Sequence, residues 1–153
     1  MRSTDADVVA DVMARSIDTM RLYTPQVRAY MAGLYTPDAL SRMLAAGTVI
    51  RVAVLTTQAP VDVASREQRI VGAGCFADGR IFGMYVLPGR QRAGAGSQLL
   101  VALEREGAAG SIVRVEANFE AVPFYEKHGY VFVAKEEVTG NVSFAYWRLV
   151  KTL

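Results

Sequence analysis

The chain reads as an α+β domain in which helices flank a mixed, mostly antiparallel sheet. Three observations predict it. Apolar residues recur first at helical spacing and then as short β-branched runs; tight-turn signals join strands early and late; one strand–helix–strand crossover stands between them. The 153 residues suit a single domain, 1–153, around one full hydrophobic core.

Between Thr4 and about Tyr23, residues Val8, Val9, Val12, Met13, Ile17 and Met20 recur at three- and four-residue steps. That spacing predicts a helix with one buried face, capped by Thr4 or Asp5. Two short helices follow, opened by Thr24-Pro25 and Thr36-Pro37. Threonine caps and proline suits the first turn. Gly47 ends the second of them. Thr48–Thr56 and Ile70–Phe76 read as strands, and the polar QAPVDVASREQ between them as a loose hairpin connection. Asp78-Gly79 marks a tight turn into a third strand, Arg80–Leu87. The glycine-rich PGRQRAGAGSQLL, Pro88 to Leu100, leads into a helix with Leu99, Leu100 and Leu103 on its apolar face. Gln98, Glu104, Arg105 and Glu106 are expected toward solvent, with Gly107 and Gly110 closing the element. Ile112–Glu116 reads as a fourth strand, followed by a short helix ending at Gly129. Tyr130–Val138 and Val142–Val150 form a closing strand pair that turns at Thr139–Asn141.

Charge and cysteine usage exclude several function classes. A formal charge of +2 without runs of like charge leaves no electrostatic footprint for nucleic acid. The single cysteine, Cys75, cannot form an internal disulfide or a multi-cysteine metal site, and a lone histidine, His128, makes a zinc centre unexpected. Asp5, Asp7 and Asp11 stand where a secretion signal needs a basic, then apolar, run. The longest apolar stretches are strand-length, whereas a membrane span takes about 20 residues. The expectation is a cytoplasmic protein with no metal, no nucleic-acid partner and no membrane contact.

The glycine corner admits three readings. A nucleotide P-loop has the right spacing in Gly89 and Gly94, but Ala95 and Gly96 stand where Lys and Ser/Thr are required. A dinucleotide fingerprint fits poorly, because Gly94 and Gly96 are followed by Leu99. A plain strand-to-helix turn uses glycine for its backbone freedom. Glycines at 89, 94 and 96 together do more: they leave backbone N–H groups of a helix start open to one anion, where the dipole adds about half a positive charge. Arg90 and Arg92 can reinforce it, or simply be solvated.

The segment MYVLPGRQRAGAGSQLL resembles motif A of the GNAT acyltransferase superfamily, with Gln91, Gly94 and Gly96 meeting Q/R-x-x-G-x-G/A. A second segment, ANFEAVPFYEKHGYV, is similar to the family's N-x-x-A-x-x-x-Y-x-x-x-G-[FY] region through Asn118, Ala121, Tyr125, Gly129 and Tyr130. The motifs stand in the family's order and spacing. Only Met1–Thr4 precede the first helix, so the family's first strand is expected to be short or missing.

The resemblance implies a GNAT-like fold with splayed central strands and acetyl-CoA as cosubstrate. It implies that acyl-pantetheine lies along the backbone of Met84, Tyr85 and Val86. Pyrophosphate would rest on the Arg92, Ala93, Gly94, Ala95, Gly96 and Ser97 amides beside Gln91. Asn118 would touch the cofactor arm, although capping a turn explains it almost as well. Tyr125 matches the general acid, and a phenol of pKa about 10 can protonate a thiolate leaving group. On a helix Phe124 and Tyr125 stand roughly 100° apart, so Phe124 is expected in the core and Tyr125 toward the cleft. No base is named. Val113 and Arg80 stand where relatives carry Glu, Glu116 is expected on the face opposite Val113, Asp78 belongs to a turn, and His128 is poorly placed. The implied reaction is acetyl transfer to a primary amine of a small molecule or peptide, in a ternary complex. A non-catalytic acyl-CoA-binding module remains the alternative. Tyr23, Arg28, Tyr30, Tyr35, Thr139 and Asn141 are candidates for the acceptor pocket, whose aromatics and arginine suggest an aromatic or carboxylate-bearing substrate. The same exposed aromatics could equally serve a homodimer.

Overall fold

The computed structural model describes residues 1, 5–55 and 69–153. The first helix, α1, runs Ala6–Asp18, shorter than its apolar periodicity suggests, with Asp5 at the cap position but without a side-chain cap bond. Thr4 lies outside the described residues, as does QAPVDVASREQ. The next helices, α2 (Pro25–Gly33) and α3 (Pro37–Ala45), start as expected. Thr24 and Thr36 hydroxyls accept from the Val27 and Ala39 amides at 3.3 and 3.2 Å.

The sheet comprises β1 (Val49–Val54), β2 (Ile70–Ala77), β3 (Arg80–Val86), β4 (Ile112–Ala117), β5 (Val131–Val138) and β6 (Phe144–Thr152), with α4 (Ala95–Glu104) and α5 (Val122–Lys127) in the crossovers. Spatial order is β1-β2-β3-β4-β6-β5. Every neighbouring pair is antiparallel except β3 and β4. Asp78 and Gly79 turn between β2 and β3 with φ of 50° and 68°, the double left-handed geometry of a type I′ turn. Met1 donates its amine to the Ile50 carbonyl of β1.

Each face of the sheet carries its own core. Val9, Met13 and Ile17 of α1 pack with Leu40 on Ile50, Ala73 and Cys75. On the other face Leu99, Leu100 and Leu103 of α4 meet Val113 and Val115, the buried residues of an alternating β4. Two solvent assignments fail here: the Glu106 side chain is 22% exposed and pairs with Arg51 of β1. The Glu104 side chain is only 13% exposed and accepts from the Lys151 ammonium at 2.9 Å; its partner lies 47 residues away, beyond the reach of helical periodicity.

Two features shape the middle of the sheet. Opposite three residues of β2, Ala73 to Cys75, β3 places four, Phe82 to Tyr85. This bulge centres on Gly83, whose φ is +56° and whose Cβ, if present, would stand 2.6 Å from the Tyr35 ring. A side chain there is excluded by both backbone and space. The second feature is the short seam between β3 and β4, which pair only at Arg80↔Arg114 and Ile81↔Val115. Beyond those two pairs the strands part.

Candidate functional site

The parting of β3 from β4 leaves a strand edge with open backbone groups. Leu87 donates its amide to the Val71 carbonyl on β2 at 2.8 Å. Because N–H and C=O alternate sides along an antiparallel strand, the Val86 pair faces away from β2, into the opening. Gln91 donates its side-chain amide to that Val86 carbonyl at 3.1 Å, which leaves the Val86 N–H for a ligand. Met84 and Tyr85 precede it on the same strand, with Tyr85 paired to Ala73 of β2.

The glycine corner lies directly after this edge. Pro88–Arg90 makes one 3-10 turn; Arg92 and Gly94 then take φ of +63° and +85°. Gly94 caps α4, and the first amide bonded within the helix is that of Gln98, to the Gly94 carbonyl at 3.0 Å. The Ala95, Gly96 and Ser97 amides therefore stand open at a positive dipole end, and α4 is long enough to express it. Arg90 and Arg92 are exposed and form no ion pair among the described residues. A Cβ on Gly96 would touch the Phe124 ring at 3.5 Å, so α5 backs this corner closely.

Tyr125 departs from the expected division of labour with Phe124. Its ring is buried in the core, 6% exposed, edge-on to Phe124 and Tyr130 at 5.2 and 5.5 Å, whereas Phe124 is only partly buried. Both faces of this short helix are covered, one by the sheet and one by α4, so a 100° separation does not send either ring to solvent. The Tyr125 hydroxyl makes no hydrogen bond among the described residues and lies within electrostatic reach of Tyr85. Burial pushes its phenol well above the ordinary range, and does the same to Tyr35 and Tyr85.

Asn118 performs the capping role: its Oδ1 accepts from the Ala121 amide at 2.8 Å. Glu116 falls on the face opposite Val113 and pairs with Arg80 at 3.3 Å. One contact escaped sequence reasoning. His128 bonds the Phe124 carbonyl through Nδ1 at 2.7 Å and the Ser97 hydroxyl through Nε2 at 2.9 Å. Since a carbonyl only accepts, Nδ1 carries a proton toward Phe124, and Nε2 meets the Ser97 hydroxyl, which can donate or accept. A serine and a histidine 31 residues apart carry no sequence signal of this kind.

The acceptor candidates separate. A concavity of about 430 Å³ opens between the α1–α2 connection, with Leu22, Tyr23 and Val27, and a facing wall of Phe119, Phe144 and Trp147. Tyr23 belongs to it and Tyr30 stands beside Phe144 at 6.1 Å. Arg28 is committed elsewhere: its guanidinium donates to the Met20 and Tyr23 carbonyls at 3.4 and 2.8 Å and holds the connection in shape. Tyr35 is buried over the β3 bulge. Thr139 and Asn141 lie outside the lining. Among the described residues no cluster of His, Cys, Asp or Glu could hold a metal ion, and no helix is long and apolar enough to cross a membrane.

Residues 39–150 match the sequence model of the acetyltransferase (GNAT) domain. No curated protein matches the chain. Among solved structures, a GCN5-related N-acetyltransferase from Rhodopseudomonas palustris is similar at TM-score 0.79 and 24% identity, covering 100% of this chain and 92% of that one. The PaiA N-acetyltransferase of Thermoplasma acidophilum, solved with coenzyme A, is similar at TM-score 0.69 and 13% identity over 100% and 96%. YncA of Salmonella typhimurium, solved with its cofactor acetyl-CoA, gives 0.61 and 14% over 99% and 90%. At these identities the likeness is one of fold.

Proposed function

The chain belongs to the GNAT acetyltransferase family, and from that membership we propose that it moves the acetyl group of acetyl-CoA to a primary amine in a ternary complex. The observation that carries the proposal is the open β3 edge running straight into the glycine-led start of α4. Its donors suit the ligand. Strand-like amides pair with the free edge at Val86, along the Met84-Tyr85-Val86 segment, and a diphosphate suits the unbonded amides that close the segment from Arg92 to Ser97. Acetyl-CoA supplies a thioester for amine attack and a thiolate that needs a proton.

The chain's own groups have distinct tasks in this reading. Gln91 holds the Val86 carbonyl, so the Val86 N–H presents a single fixed donor toward a carbonyl oxygen on that edge. Tyr125 keeps its proton, because burial disfavours the phenolate, and its hydroxyl has no competing partner among the described residues. It is our general acid. Asn118 fixes the chain between β4 and α5, setting where that helix places Tyr125. Glu116 is held by Arg80, so the proton that the amine sheds passes to solvent water and not to a side chain.

Calorimetric titration with acetyl-CoA, followed by a thiol-release assay over an amine panel, tests this. Binding and turnover by the native protein are expected. Tyr125→Phe should bind acetyl-CoA equally while turnover falls about 10²- to 10⁴-fold. Absence of acetyl-CoA binding rejects the proposal; equal turnover by both proteins rejects the role of Tyr125.

A further inference from the structure

We infer that the acceptor is an amine with an apolar body about the size of one aromatic ring and no carboxylate. The inference rests on the acetyltransferase reading and concerns the concavity beside the α1–α2 connection. Its volume of about 430 Å³ falls within the small-molecule range of roughly 300–1,000 Å³. No charged side chain among the described residues lines it. Leu22 and Phe119 at its mouth are 56% and 58% exposed, an apolar surface left facing water. The rings already form a slot, with Phe119 and Trp147 at 5.2 Å and Tyr23 edge-on to Phe144 at 6.0 Å. An aromatic guest extends this set by the same offset and edge-to-face contacts.

Polar groups on the walls are largely spent. The Tyr23 hydroxyl donates to the Ala145 carbonyl at 3.0 Å, and the Thr24 oxygen caps α2. The neighbouring cations are engaged too: Arg28 with backbone carbonyls, and Lys135 with Glu137 at 3.3 Å and with the Trp147 ring. A carboxylate here would find the Ser143 hydroxyl as a donor but no charged partner on the walls. An ammonium meets the opposite field, since Glu120 lies within electrostatic reach of Tyr23. Phe119 of this wall directly follows Asn118, which caps the turn leading into the helix of Tyr125, so the concavity adjoins the element that carries the proposed acid.

Trp147, the sole tryptophan, stands in the wall and reports occupancy directly. Its fluorescence should respond saturably to 2-phenylethylamine, in native protein and in Tyr125→Phe alike. Spermidine and 3-phenylpropionate should give no saturable response. Phe119→Ala, at an exposed position, should weaken the phenylethylamine response about tenfold, in line with one lost aromatic contact, and leave acetyl-CoA affinity unchanged. In the thiol-release assay phenylethylamine should outrun spermidine. Saturation by spermidine or phenylpropionate in place of phenylethylamine overturns the inference. So does a preference for hexanoyl-CoA over acetyl-CoA that Phe119→Ala abolishes, which gives the slot to the acyl chain. Loss of acetyl-CoA binding rejects the acetyltransferase reading itself; intact acetyl-CoA binding with no Trp147 response to phenylethylamine rejects this inference alone.

Discussion

Cys75 sits inside the core on β2, where burial pushes its thiol from 9.0 up to about 12. Burial moves Tyr35, Tyr85 and Tyr125 in the same direction. These groups stay neutral in the native state while the unfolded chain ionises them, so the unfolded state holds fewer protons at high pH and gains stability there. Native stability is thus full below about pH 8.5, the ordinary thiol range, and is lost as pH rises through that range toward the raised folded values. Urea denaturation should show a lower midpoint at pH 10.5 than at pH 8, with Cys75→Ala removing part of the fall; equal midpoints would sink this account. Native Cys75 should also resist a disulfide reagent at pH 8. Residue roles were unevenly legible. Thr24, Thr36, Gly94 and Gly96 declare themselves, because caps and helix starts are local chemistry. The placement of Tyr125 was not, since helical arithmetic separates it from Phe124 without revealing that α4 and the sheet cover both.

The start of α4 separates two glycines that look alike in sequence. Gly94 has a φ of +85°, which a side chain tolerates only at a cost of about 1–2 kcal/mol. Gly96 is already helical, and a Cβ there makes ordinary contact with Phe124 at 3.5 Å. Gly94→Ala should therefore lower the melting temperature, while Gly96→Ala should leave it equal or higher, since alanine is favoured over glycine in a helix by about 1 kcal/mol. Thermal denaturation of the two variants checks the pair; equal losses would mean that the turn, and not the αL position, sets the requirement. Element boundaries came mostly from such local signals. Two elements depart from them: α1, where Met20 continues the apolar period although the helix stops at Asp18, and β6, which runs Phe144–Thr152 and not Val142–Val150. The links between elements, Ser97 to His128 and Glu104 to Lys151, depend on packing that no single segment encodes.

At the scale of the molecule, the sheet is two antiparallel halves, β1-β2-β3 and β4-β6-β5, joined through a parallel seam of two residue pairs. The mixed topology was legible from turns and one crossover. The length of the seam was not, because it depends on where two strands distant in sequence cease to pair. A ligand that fills the gap binds only the folded sheet, so acetyl-CoA at about 100 times its dissociation constant should add about 2.7 kcal/mol of stability. Amide exchange at Val86 should slow on the same addition; unchanged exchange there with tight binding elsewhere would move the ligand off this edge. The seam also decides how the protein bears load. Met1 is fastened to Ile50 on one side of it, and Leu153 donates to the Ser111 carbonyl at 3.0 Å on the other. Tension applied between those two points crosses two rungs of parallel sheet, so under a pulling force the molecule should yield first at the parting of β3 from β4, and hold longer if a ligand fills that gap.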